Sequence, residues 1–185
     1  MCNSNLFRDE CVNVSHTVTI VPRLEYSIEL LNNIVAVLKK KKTELKKLNR
    51  NFLELDDSDC TYVKTLDFER TLVFSLEILS QIQKKMNSIS GINSIPELLH
   101  FTIPLIRTVS AQLFSLLPTC SQNLSELSVH LGSIIFDSAV LTEARFDFSK
   151  SNIKSSSVLN EVKLMVDSKI SKQYPNLDFS KACNT

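Results

Sequence analysis

The sequence predicts an all-α protein whose centre is a long antiparallel helical hairpin with smaller helices packed along it. Three observations carry this. Apolar residues recur every three or four positions over two long stretches, the period of a helix with one buried face. A short acidic run separates the two stretches, and neither stripe is buried unless they fold against each other. Only two glycines and five prolines occur in 185 residues, too little turn chemistry for a many-stranded β fold. With 43% apolar side chains, the chain buries one modest core, giving one domain or one domain with a tail.

Residues 1–22 are polar, with Val12, Val14, Val18 and Ile20 spaced two apart in places. That strand-like period lacks a partner in the chain, so the stretch reads as a flexible N-terminal arm or as a strand pairing with another subunit. A helical core is expected over 23–148. Its first helix, over roughly 23–56, carries Leu24, Ile28, Leu31, Val35, Leu38, Leu45, Leu48, Phe52 and Leu55, with Lys42 the one break in the stripe. At 1.5 Å per residue it forms a rod about 50 Å long. Asp56, Asp57, Ser58 and Asp59 make the turn, and Ser58 or Asp59 is placed to cap the second helix. This second helix runs from about Tyr62 through Leu66, Leu72, Leu76, Leu79, Ile82 and Met86 to Ser90-Gly91.

Ser94-Ile95-Pro96-Glu97 has the spacing of a capping box with proline in the first turn. It opens a helix that Pro104 should bend and Pro118 should end. A further helix from Thr119 carries Leu124, Leu127, Leu131, Ile134, Ile135 and Leu141. The serine-rich residues 149–157 read as a linker, 158–174 as a C-terminal amphipathic helix closed by Tyr174-Pro175, and 175–185 as a flexible tail. That last helix is too short to stand alone and is expected to dock on the core.

No catalytic residues, cofactor site or metal site emerge, and the chain is expected not to be an enzyme. His16, His100 and His130 stand apart from one another and from any cysteine or carboxylate cluster. Cys2, Cys11, Cys60, Cys120 and Cys183 are scattered and odd in number, which points to reduced thiols in a cytoplasmic protein. Gly-rich phosphate loops and nucleophile elbows are nearly excluded by the glycine count. Asp56, Asp57 and Asp59 lack the glycine and terminal glutamate of a calcium loop. The N-terminus lacks the pattern of a signal peptide, and no segment reaches the roughly 20 apolar residues that span a bilayer, so any membrane contact is expected to be peripheral.

Charge is the remaining signal. The net charge is +1, but residues 21–51 hold eight Lys/Arg against three Glu, and 52–72 hold six Asp/Glu against two Lys/Arg. On a helix, Lys39, Lys46 and Arg50 fall on one line and Lys40 and Lys47 on another, beside the apolar stripe. Such a face is either solvated or an electrostatic contact, with anionic lipid favoured over nucleic acid. Base recognition would want interleaved aromatics, and this face has none.

The order of these features resembles the ESCRT-III family, in particular its archaeal CdvB-type cell-division members. Residues 64–79, Lys-Thr-Leu-Asp-Phe-Glu-Arg-Thr-Leu-Val-Phe-Ser-Leu-Glu-Ile-Leu, resemble the second hairpin helix. Residues 98–118, LLHFTIPLIRTVSAQLFSLLP, are similar to the family's apolar segment with an internal proline and a closing aliphatic-Pro. NLSELSVHLGSII resembles its Leu-x-Glu-Leu continuation, and Lys172-Gln-Tyr-Pro-Asn-Leu its late Lys-x-x-Pro-x-Leu end. The resemblance covers about residues 22–177.

It implies a five-helix ESCRT-III core that polymerises into filaments on membranes and drives constriction and scission in cell division. The implied partners are further copies of itself, paralogous ESCRT-III subunits, an anionic membrane surface at the inner face of the cell at the division site, and an AAA ATPase of the Cdv system. Nucleic acid is not among them. The chain lacks a clear proline-rich ATPase-binding motif, the winged-helix-type segment that docks CdvA, and the Leu-x-x-Arg-Leu pattern. It therefore resembles a short paralogue that joins a filament begun by another subunit. The alternative from another class is a helical-bundle adaptor that does not polymerise.

Overall fold

Helical periodicity governs most of the chain. The computed structural model describes residues 6–54, 60–142 and 148–174, with side chains described within 19–49, 64–142 and 152–174. Among these residues there are six α-helices, one 3₁₀ turn and no strand: α1 Leu6–Glu54, α2 Cys60–Asn87, the turn Ile92–Ser94, α3 Ile95–Leu99, α4 Thr102–Leu113, α5 Pro118–Thr142 and α6 Phe148–Gln173.

The buried face of α1 steps through Ile20, Leu24, Ser27, Leu31, Ile34, Leu38, Leu45 and Asn49, mostly by three or four, and it serves two partners. Toward the C-terminal end it packs on α2. Gln83 bonds to Asn32 and Asn49 to Glu69, so residues rising along α1 meet residues falling along α2 and the two helices run antiparallel. Toward the N-terminal end it packs on α5, also antiparallel. Arg23 reaches Asp137 at 2.5 Å and Ser133, and the rings of Tyr26 and His130 meet edge to face at 5.5 Å.

The inner helix is α2. Leu72, Val73, Phe74 and Ser75 are buried in succession, which no single-faced helix allows, because α1, α4 and α6 cover different sides of it. The α4–α5 pair is held closely by small hydroxyls. Ser110 Oγ donates to the Ser121 carbonyl at 2.9 Å, and Ser121 Oγ donates to the Ser110 carbonyl at 2.8 Å. Both serines are buried, so each hydroxyl satisfies a carbonyl that would otherwise be costly to bury.

Several expectations are corrected. The arm expected at 1–22 is helical from Leu6 onward. Pro22 lies inside α1, where its ring holds a helical φ at the loss of one backbone bond, and Ile20, fully buried, anchors the preceding turn. The resulting rod of 49 residues is about 73 Å long. Along the stripe, Leu48 is half-exposed and Asn49 takes the buried place, since 49 keeps the angular position of 38 and 45 while 48 lies about 100° away. Asp56, Asp57, Ser58 and Asp59 lie outside the described residues.

Ser94 does not build a capping box. It closes the 3₁₀ turn in a helical conformation, without a cap bond, and its hydroxyl donates back to the Gly91 carbonyl at 2.7 Å. The helix expected to bend at Pro104 is instead divided at His100-Phe101, which places Pro104 in the first turn of α4, where its missing N–H leaves no bond unmade. Pro118 opens α5 instead of closing the helix before it. The serine-rich 149–157 is not a linker but the first turns of α6. Ser156 donates to the Asn152 carbonyl at 2.9 Å, and Ser155, buried, donates to the Phe101 carbonyl at 3.0 Å.

One helix of the described residues, α5, is long and apolar enough to cross a membrane by length and composition, whereas the sequence pattern alone suggests no such segment. Part of its apolar character belongs to the core, while Val129, Phe136 and Val140 face outward. Leu124, Leu127, Leu131 and Ile134 are fully buried against neighbouring helices.

Candidate functional site

Lysines 39–42, 46 and 47 succeed one another along α1, and the helix sorts them. Taking the buried line through Leu38 and Leu45 as zero, successive 100° steps put Lys42, Lys46 and Lys39 at about 40°, 80° and 100°. Lys47 and Lys40 come near 180° and 200°, on the side away from the core. The two lines read from the sequence therefore separate in space. Lys40 and Lys47 are exposed to solvent. Lys39 and Lys46, exposed and half-buried respectively, border a groove together with Lys42. Arg50 lies within α1, its side chain outside the described residues.

This groove runs where α1, α2 and α6 meet and has a volume of about 560 Å³. Its floor is aliphatic, from Val35 on α1 and Val73 and Leu76 on α2. Lys169 on α6 supplies a fourth ammonium opposite the α1 lysines. Among the described residues Glu77 is the one carboxylate lining it, and its Oε2 already accepts from Lys169 Nζ at 3.4 Å. Lys41 points elsewhere, to Glu44 Oε2 at 2.8 Å. That hydrogen bond, with the nearby charges of Lys40 and Lys47, holds the Glu44 carboxyl below its ordinary value.

The groove exists because the stripe is interrupted. Leu38 and Leu45 are buried on either side of Lys42; an aliphatic residue at 42 would close the seam between α1 and α2. The Lys42 break is legible in the sequence, but Lys169 is not, because nothing in a short serine- and lysine-rich helix says where it docks.

A second polar constellation is absent from the reading of the sequence. Glu69, fully buried on α2, accepts from Asn49 Nδ2 at 2.5 Å and from the Tyr174 hydroxyl at 2.8 Å, both on Oε2. Gln173 Nε2 lies 3.4 Å from its other oxygen and 2.9 Å from the Tyr174 hydroxyl. Burial, together with the hydrogen bond to Glu69, pushes the Tyr174 phenol up to about 12. Next along α2, Arg70 Nε and Nη2 both donate to Asp167 Oδ1, at 2.8 and 2.5 Å. Together with Lys169–Glu77, these contacts fasten the C-terminal half of α6 to α2. The available signal is that Asn49 and Glu69 stand at stripe positions where an apolar residue is expected.

The remaining reactive side chains have structural surroundings. His100 Nδ1 lies 2.8 Å from the Glu97 carbonyl, and His130 Nε2 is 3.6 Å from Glu126; the side chain of His16 lies outside the described residues. Burial raises the Cys120 thiol, the opposite of an activated thiolate. Among the described residues, no group of three or more His, Cys, Asp or Glu is placed to hold a metal ion. No protein-family model, curated protein or solved structure matches this chain.

Proposed function

We propose that this chain is an ESCRT-III-like subunit that polymerises into filaments on anionic membranes and drives their constriction and scission. It is not an enzyme in this reading. The observation that carries it is the combination of a long antiparallel α1–α2 pair with a lysine line, Lys40 and Lys47, turned away from the core. A rod that presents cations along one side meets a flat anionic surface, and each such residue contributes on the order of 1 kcal/mol. In a polymer these small contributions act jointly.

The later helices fit the same reading. α6 is fastened by a short apolar row, Val162, Val166 and Ile170, and by polar and ionic contacts with α2 that can be exchanged for new ones. Its release would uncover the apolar side of α2 for a neighbouring subunit. Division at the inner face of the cell membrane, with an AAA ATPase supplying turnover, is the setting that the family resemblance supports.

The test is sedimentation with phosphatidylserine vesicles, paired with negative-stain microscopy. The parent should sediment and form filaments or tubes. Reversal of Lys40→Glu with Lys47→Glu should abolish sedimentation while helicity is retained. A parent that neither binds vesicles nor self-assembles at any concentration is a helical-bundle adaptor, and the proposal falls.

A further inference from the structure

We propose that the groove bordered by Lys39, Lys42, Lys46 and Lys169 is a binding site for a small polyphosphate, an anion carrying two or more phosphate groups. This does not rest on the membrane reading, because the groove lysines are not the outward line of Lys40 and Lys47.

The first argument is what the groove costs. Lys42 stands at a seam position between buried Leu38 and Leu45, half-buried and beside an aliphatic floor. A cation there is partly desolvated, and it shares the groove with Lys39 and Lys46 on the same side of α1. Among the described residues none of the three makes an ion pair. Like charges brought together near low-dielectric walls repel, so the arrangement is unfavourable until an anion enters.

Geometry gives the ligand class. Lys39 and Lys46 are seven residues apart, about 10 Å along the helix axis, so one monovalent anion cannot engage both ends. Lys169 faces them from α6, and Glu77 is already engaged by Lys169. A volume of about 560 Å³ falls within the range of roughly 300–1,000 Å³ usual for small-molecule sites. It leaves room for several phosphate groups. Among the described residues no aromatic side chain lines the groove to stack a base, which argues against a nucleic-acid strand.

A ligand that bridges α1 and α6 also favours the seated position of α6, so binding should raise the melting temperature. The chemistry is shared by a free oligophosphate and by a polyphosphorylated lipid headgroup.

The experiment titrates inorganic tripolyphosphate into the full-length protein, monitored by calorimetry and thermal melting. One saturable site is expected. Lys42→Gln with Lys169→Gln should weaken it by about tenfold per amine removed, and Lys39→Gln alone, at an exposed residue that cannot unfold the chain, should weaken it as a single step. Lys40→Gln with Lys47→Gln should leave it nearly unchanged. Absence of saturable binding, or equal losses in the groove and outward pairs, overturns the site in favour of diffuse charge. Phosphatidylcholine vesicles carrying phosphatidylinositol 4,5-bisphosphate, set against vesicles matched in charge with phosphatidylserine, separate the sources. Preferential binding to the former that tripolyphosphate displaces assigns a headgroup; equal binding that it does not displace assigns a free polyphosphate. Either result sustains the groove, and both leave the test of Lys40 and Lys47 independent.

Discussion

At the scale of single residues, the most consequential side chain is Tyr174. Its hydroxyl donates to a carboxylate that is buried without a cationic partner among the described residues, so removal leaves Glu69 one hydrogen bond short. Tyr174→Phe should cost about 1–3 kcal/mol, read from chemical denaturation. The pH dependence derives from the raised phenol value. The folded protein holds the Tyr174 proton up to about 12, whereas the unfolded chain releases it near 10. The stabilisation is therefore complete below pH 10 and is lost as pH rises from 10 through about 12. The melting temperature of the parent should fall across that window by more than that of Tyr174→Phe; parallel curves for the two proteins would show that the phenol is not held as described.

At the scale of elements, α6 is the piece whose position decides the rest. Arg70 and Asp167 join it to α2 by two bonds to one carboxylate oxygen, so Asp167→Arg sets two cations against each other. The expected outcome is a lower protein concentration for filament formation by light scattering, restored toward the parent by Arg70→Asp in the same chain. A threshold that does not move, or that is not restored, would count against α6 as the restraint. The elements also show where sequence reading succeeds and where it stops. Leu31, Leu38, Leu66, Leu79 and Ile82 announce α1 and α2 because a helix with one buried face writes its period into the chain. Pro22 and the serines of 149–157 read as boundaries because each is locally unfavourable in a helix. Tertiary contacts override that preference, through Ile20 at one end and through Ser155 on the Phe101 carbonyl at the other. The same limit hides half of the candidate site. Lys39 and Lys46 are local and legible, whereas Lys169 joins them only through the docking of α6.

At the scale of the whole molecule, burial is uneven along the chain. α2 is enclosed by α1, α4 and α6, with Leu72 to Ser75 buried in succession, while Val129, Phe136 and Val140 on α5 stand exposed. Amide exchange should accordingly be slowest in residues 72–82 and close to the rate of global unfolding there. The C-terminal half of α6, held on one face only by Val162, Val166 and Ile170 together with its polar contacts, should open earlier and exchange faster. If α6 and the centre of α2 exchange together at all denaturant concentrations, the molecule opens as one unit and no separate release of α6 exists.

The double service of α1 restricts how this chain can change length. Its stretch near Arg23 and Tyr26 is gripped by α5, and its stretch from Asn32 to Asn49 by α2. Inserting one residue between the two grips would turn one end by about 100° relative to the other and carry Leu38 and Leu45 out of their seam. Seven or eleven residues would turn it by only about 20°. Related chains that vary in size between the two grips should therefore do so in steps of seven or eleven, while single-residue gains and losses collect in the connections between helices.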